Sequence, residues 1–187
     1  MNEVLHLDIR KKIYKLLLVN PGVNLSSVAE LLDISVALAD YHLYYMESNG
    51  LITIEKEGGY KRYYVKGEIG TEEKKILSLL HQEIPLQVIL FLLNHPCSKP
   101  KIIRETLGIS PALLTYYLKK LRKYNVIIED SSEQKKVFSV AKEHVVLTLL
   151  IRYKPNVLLE RFKDTWADAF PLSSKVPKAK KREEDDQ

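Results

Sequence analysis

Two stretches of this chain are versions of one another, "LLDISVALADYHLYYMESNGLI" from Leu31 and "TLGISPALLTYYLKKLRKYNVI" from Thr106. Pro21 matches Pro96, Leu32 matches Leu107, and Ile34-Ser35 matches Ile109-Ser110. Tyr41 matches Tyr116, Leu43 matches Leu118 and Ile52 matches Ile127, each pair 75 residues apart. An ungapped offset of this length is too large for the common solenoid repeats, so it predicts two copies of a small domain. A length of 187 residues gives each copy enough chain to bury its own core.

Each copy carries the same coarse plan. A first helix over Asp8–Val19 places Ile9, Ile13, Leu16 and Leu17 on one face. Its counterpart starts at "IPLQVILFLLNH", with Pro85 expected at a first helical position. A proline-containing turn follows at Pro21 and Pro96, then a short helix near 26–32 and 100–107. Ser35 and Ser110 stand where an N-cap is needed, and Pro111 follows its serine in the first turn. The third helix closes at Gly50 in one copy and Asn125 in the other, the two residue types that best tolerate a left-handed closing residue. Strand-like runs then make a hairpin in each copy, turning at Gly58-Gly59 and through the stretch after Glu129.

Three helices followed by a hairpin is the winged-helix plan. The pattern "LDIS…YHL…GLI" and "LGIS…YYLKKL…NVI" resembles the winged helix-turn-helix domains of ArsR/MarR-like transcriptional regulators, in particular tandem archaeal regulators with two such domains in series. The resemblance covers about residues 7–140 and implies a DNA-binding regulator without enzymatic activity. In that family the third helix enters the major groove and the wing touches the backbone. The expected fold class is mainly α with small β-hairpins (α+β), as two tandem winged-helix domains plus C-terminal helices. The expected boundaries are 1–67 and 85–141 for the domains, 68–84 for a linker helix, 142–171 for C-terminal helices and 172–187 for a disordered tail.

A third helix over Val36–Asn49 would be ~21 Å long and of a diameter that fits the major groove. Ala39, Leu43 and Met46 share its inward face, which leaves Val36, Ala37, Asp40, Tyr41, Tyr44 and Tyr45 outward. The nucleic-acid contacts expected of the second copy are Ser110, Pro111, Thr115, Tyr116, Lys119, Lys120 and Lys123, with Lys135 and Lys136 on its wing. Those expected of the first are Ser35, Tyr41, Tyr44 and Tyr45, with Lys61 and Arg62 on its wing. Hydroxyls and cations reach phosphates and base edges, and tyrosine packs on the sugar-phosphate rail.

The copies differ in charge. From Leu7 to Val65 there are seven basic and seven acidic residues, whereas from Gln82 to Val140 there are nine and five. Phosphate contacts dominate affinity, so the second copy is the better candidate for the electrostatic hold. In the first copy Asp40 either repels phosphate or accepts from a cytosine amino group. Val36, Ala37 and Leu38 suit a thymine methyl or a protein surface equally well. Two readings therefore stand: a DNA-binding regulator, or a tandem winged-helix protein-interaction module of the kind found in general transcription machinery or ESCRT subunits.

Other chemistries find no support. No glycine-rich phosphate loop, serine-centred elbow or paired carboxylates point to catalysis, and no cofactor is expected. His42 lacks a second ligand at metal spacing and is expected to be packed or backbone-bonded. His81 and His95 are expected to be solvated, and Cys97, the single cysteine, to be a partly buried passive thiol. Its solitude also fits a reducing cytoplasm. No secretory signal is visible, and the longest apolar run, from Val145, is too short to span a bilayer. The net charge of +5 points weakly to a polyanionic partner such as double-stranded DNA. Thr71 is expected to cap a bridging helix to about His81, with Ile76, Leu79 and Leu80 on one face. A helix over 142–153 and another over 156–170 are expected to follow, the latter with a stripe of Leu159, Phe162, Trp166 and Phe170. That stripe folds back on the second domain or makes a homodimer contact.

Overall fold

The offset of 75 found in the sequence is carried into the backbone. The structure, a computed structural model, describes residues 7–57, 59–131 and 136–153. Helices α1 (Asp8–Val19), α2 (Leu25–Leu32) and α3 (Val36–Ser48) lead into strands β1 (Ile52–Glu57) and β2 (Tyr60–Val65). After α4 (Thr71–Leu80) the order recurs as α5 (Glu83–Asn94), α6 (Pro100–Leu107), α7 (Pro111–Lys123), β3 (Ile127–Asp130) and β4 (Val137–Val140). Helix α8 (Glu143–Tyr153) follows. The fold is mainly α with two small antiparallel hairpins. Both ends of α1, α2 and α3 fall 75 residues before those of α5, α6 and α7.

The left-handed residues obey the same offset. Gly22, Asp33 and Gly50 have φ of 85°, 51° and 69°, and Cys97, Gly108 and Asn125 have 57°, 62° and 53°. These are the bend after the first helix, the tight turn between second and third, and the close of the third. Aspartate and asparagine enter this region more readily than other side chains, so Asp33 and Asn125 stand in for glycine at modest cost. Ser35 and Ser110 then cap the third helices, their Oγ atoms accepting from Leu38 N at 3.2 Å and Leu113 N at 3.3 Å.

Burial follows helical spacing. Ala39, Leu43 and Met46 in α3, and Leu114, Leu118 and Leu121 in α7, are the inward residues at matching positions. In each copy a residue from the first turn closes a bridge to the outer strand: Val23 O accepts from Tyr63 N, and Ser98 exchanges both backbone bonds with Phe138.

The first hairpin serves two cores. Strand side chains alternate between faces, so neighbouring Tyr63 and Tyr64 point opposite ways. Tyr63 packs with Ile13, Leu43 and Met46 of the first copy, and Tyr64 joins Ile76, Leu80 and the core of the second. Helix α4 is the seat between them. Its residues Ile76–Leu80 are all buried, and α5 leaves it at a bend of 100°. No single helix among the described residues is long and apolar enough to cross a membrane.

Several expectations need correcting. Pro85 is the third residue of α5, not the first, because the helix begins at Glu83 after the bend. Gly70, not Thr71, is the N-cap of α4; its N–H donates to Glu73 Oε2 at 3.0 Å, leaving Thr71 exposed inside the first turn. Cys97 is exposed rather than partly buried. His81 is half-buried, its Nε2 2.8 Å from Pro21 O, because the end of α4 abuts the first copy's turn. Lys135 and the stripe of Leu159, Phe162, Trp166 and Phe170 lie outside the described residues.

Candidate nucleic-acid interface

Helix α7 presents an outward stripe at helical spacing: Pro111, Ala112, Thr115, Tyr116, Lys119 and Lys123 are all exposed. The Thr115 hydroxyl donates to Pro111 O at 2.7 Å, which fixes its rotamer and leaves the oxygen as an acceptor. Tyr116 stands 58% exposed, its ring edge-on to Tyr117 at 5.0 Å. Lys119 and Lys123 form no ion pair among the described residues. Arg122, beside them, is held by Glu129, which also takes Lys136 at 3.0 Å. Lys136 keeps a mostly exposed side chain with its Nζ over the Phe138 ring.

Lys120 is placed differently from expectation. Its side chain is only 15% exposed, with Nζ 3.2 Å from Glu57 Oε1 and 3.1 Å from Gln82 Oε1. The residue lies on the side of α7 that meets the first hairpin, so its charge joins the two copies and does not face outward.

Helix α3 has the same shape with different chemistry. Tyr41 and Tyr44 are 58% and 67% exposed, and Val36, Ala37, Leu38, Asp40, Glu47 and Ser48 surround them. Where α7 offers Lys119 and Lys123, α3 offers Tyr44 and Ser48. Tyr45, counterpart of Lys120, is half-buried beneath the Arg10 guanidinium, 3.6 Å from its ring centre. Arg10 Nε also donates to His42 Nδ1 at 3.4 Å. His42 is packed as expected, though on a side chain and not on the backbone; burial first, and Arg10 second, lower its pKa.

The first hairpin's cations divide between its faces. Lys61 is exposed, but Arg62 is buried, its Nη1 donating to Gly22 O at 2.8 Å. Glu55 pairs with Arg62 and Glu57 with Tyr60 across the strands; Glu57, Arg62 and Tyr64 of this face lie against α4, while Tyr60 at the tip stays exposed. Arg62 is thus a structural cation of the joint, and its expected backbone contact is withdrawn. Lys56 lies directly across from Lys61, and both are exposed. This basic pair went unnoticed in the sequence, although the register that pairs Glu57 with Tyr60 creates it.

Two three-helix-and-hairpin units thus recur, each with a serine-capped and outwardly exposed third helix. An uncharacterized HTH-type transcriptional regulator of Methanocaldococcus jannaschii is 29% identical over 125 residues, 67% of this chain and 31% of that protein. The chain spans about a third of the length of that curated relative. No family model matches. Among solved structures, ScpB from Mycobacterium tuberculosis aligns over 83% of this chain and 97% of its own, at 14% identity and a TM-score of 0.27. A conserved hypothetical protein from Chlorobium tepidum aligns over 82% and 97%, at 17% identity and the same score. Scores this low carry no argument about architecture or role.

Proposed function

We propose that the chain is a transcriptional regulator that binds double-stranded DNA through α7, in the manner of a winged helix-turn-helix, without catalysing a reaction. The observation that carries this reading is the stripe of Thr115, Tyr116, Lys119 and Lys123 on α7, exposed and without salt-bridge partners among the described residues. Two uncommitted ammonium groups one helical turn apart suit a phosphate rail, and the threonine and tyrosine between them suit base edges and sugars. Lys56 and Lys61 on the first hairpin supply a further basic patch. The similarity to a protein described as an HTH-type transcriptional regulator supports the same class.

The test is affinity for duplex DNA across a salt series. Replacing Lys119 and Lys123 by alanine is expected to weaken binding and flatten the log–log salt slope by about 2. Lys120→Met is expected to leave that slope unchanged, since Lys120 is already neutralised by Glu57. A slope insensitive to the first pair and sensitive to Lys120 would remove the assigned surface.

A second reading, docking of a protein partner, is favoured for α3 alone. Its exposed face joins Val36, Leu38, Tyr41 and Tyr44 to the carboxylates Asp40 and Glu47, a mixture that repels phosphate and suits an amphipathic protein surface. Tyr44→Ala that leaves DNA affinity intact while abolishing capture of a stoichiometric protein partner would assign α3 to that task.

A further inference from the structure

Glu129 of β3 holds two cations at once, where α7 meets the second hairpin. Its Oε2 takes the Arg122 guanidinium from the end of α7, and its Oε1 takes Lys136 Nζ at 3.0 Å. Ser131 Oγ lies 3.5 Å from the same Oε1. The carboxylate is tucked in, with its side chain 15% exposed, while those of Arg122 and Lys136 stand 48% and 55% exposed. Two cations against one carboxylate leave one positive charge in excess, open to solvent beside Lys119 and Lys123.

The hairpin does not need an acid at this position. The offset of 75 places Ile54 at Glu129, Glu47 at Arg122 and Lys61 at Lys136. The cross-strand frame is the same, since Ile54 faces Tyr63 as Glu129 faces Phe138. Ile54 packs at the margin of the first core, so an apolar residue satisfies the backbone and the packing there. In the second copy the carboxylate is matched instead to its two cations. It offers one oxygen to a guanidinium and the other to an ammonium, as the two free oxygens of a phosphodiester would.

We infer that Glu129 is a competitor for DNA phosphate built into the fold: it occupies Arg122 and Lys136 in the free chain, and a backbone phosphate takes both cations from it on binding. The inference rests on the reading of α7 as the DNA-binding helix. Arg122 stands at i+3 from Lys119 and next to Lys123, so a duplex against that stripe brings phosphates to the cluster. Half-exposed ion pairs each contribute little, so the exchange of partners is easy. Its consequence is a weaker hold on duplex DNA of any sequence than the same cations would give alone, which restrains non-specific binding.

The test is affinity for a random-sequence duplex across a salt series, with Glu129→Gln and with Glu129→Ile, the second importing the residue of the first copy. Both variants are expected to bind about tenfold tighter at low salt and to steepen the log–log slope by about 1. In a chain already carrying Arg122→Gln and Lys136→Gln, the same changes are expected to gain at most about threefold, the share due to plain repulsion between carboxylate and phosphate. Equal gains in the two backgrounds overturn the inference, because Glu129 would then act on DNA directly and not through its cations. Unchanged or weaker binding by both single variants overturns it as well. The reading of α7 is judged separately by Lys119→Ala with Lys123→Ala. No loss from that pair removes the reading and this inference together, whereas a loss there without a gain from Glu129→Gln removes the competitor alone.

Discussion

Gly22 and Tyr64 in the first copy answer to Cys97 and Ser139 in the second, and the two pairs share a backbone but not a volume. At Gly22 φ is 85°, and an added Cβ would stand 2.8 Å from the Tyr64 hydroxyl and 3.0 Å from its ring. At Cys97 φ is 57°, the same left-handed bend, yet the side chain is tolerated because Ser139 replaces the tyrosine. Ser139 Oγ even accepts from Cys97 N–H at 2.9 Å. The large residue exists only where something sits behind the hairpin. Tyr64 is fully buried in the core that α4 and the second copy build against the first, so glycine is needed beneath it. The two copies share a backbone, and the load on each hairpin decides which side chains it carries.

The most severe way to break this comparison is Tyr64→Ala. Loss of a fully buried ring between two cores is expected to cost about 3–5 kcal/mol in urea unfolding. Its counterpart Ser139→Ala is expected to cost less, about 1 kcal/mol, the scale of one partly exposed hydrogen bond. Similar costs at the two positions would mean that the first hairpin is not the seat of the joint.

Acid probes the same joint from α4. His81 Nε2 donates to Pro21 O, and burial pushes its pKa down to about 4, with the Pro21 carbonyl opposing and Arg62 assisting. The unfolded chain therefore binds a proton near pH 6.5 that the folded chain refuses until about pH 4. Stability is full above pH 6.5 and falls as pH drops through that window, by up to about 3 kcal/mol. His42, also lowered, contributes in the same direction. The measurement is thus the difference between the native chain and His81→Gln, whose pH dependence of unfolding is expected to be shallower between pH 6.5 and 4. Superimposable slopes would detach His81 from the joint.

Most of the fold was legible because it is written locally. Ser35, Ser110, Gly50 and Asn125 are residues whose chemistry suits one backbone position, and two copies of each signal fixed the frame. The candidate interface was legible only in part. Lys119 and Lys120 are neighbours in sequence, but 100° of helical rotation separates an outward ammonium from one tied to Glu57. Arg62 and Lys61 differ in the same way across a strand, one step being one face. Deciding which neighbour faces out required knowing that the second copy docks behind the first hairpin. That arrangement rests on contacts between residues some 40–60 apart, such as Gln82 with Lys120 and Pro21 with His81, which no local pattern encodes.

Glycine at the bend gives a milder test than the tyrosine above it. Gly22→Ala is expected to cost about 2 kcal/mol, from the left-handed conformation and the contact with Tyr64 together. Adding Tyr64→Ser imports the second copy's solution and is expected to make the alanine cheaper by about 1 kcal/mol than it is beneath tyrosine, because the contact vanishes and only backbone strain remains.

The reverse exchange is the smallest effect and the most informative. Cys97→Gly removes an exposed thiol whose contact is a long hydrogen bond from Ser139 Oγ to Sγ at 3.5 Å, so its consequence is mostly backbone. Relief of the left-handed φ of 57° favours the variant by about 1 kcal/mol, and the greater freedom of glycine in the unfolded chain opposes it by about 0.5–1 kcal/mol. The net expectation in urea unfolding is a change between zero and about 1 kcal/mol toward stability. Ser98→Gly, one residue on, is the control: Ser98 is bridged on both backbone groups to Phe138 and its hydroxyl donates to His95 O, so it is expected to lose about 1 kcal/mol or more. If Cys97→Gly destabilised as much as Ser98→Gly, the bend would not be a shared backbone requirement, and the pairing of Gly22 with Cys97 would be coincidence of numbering.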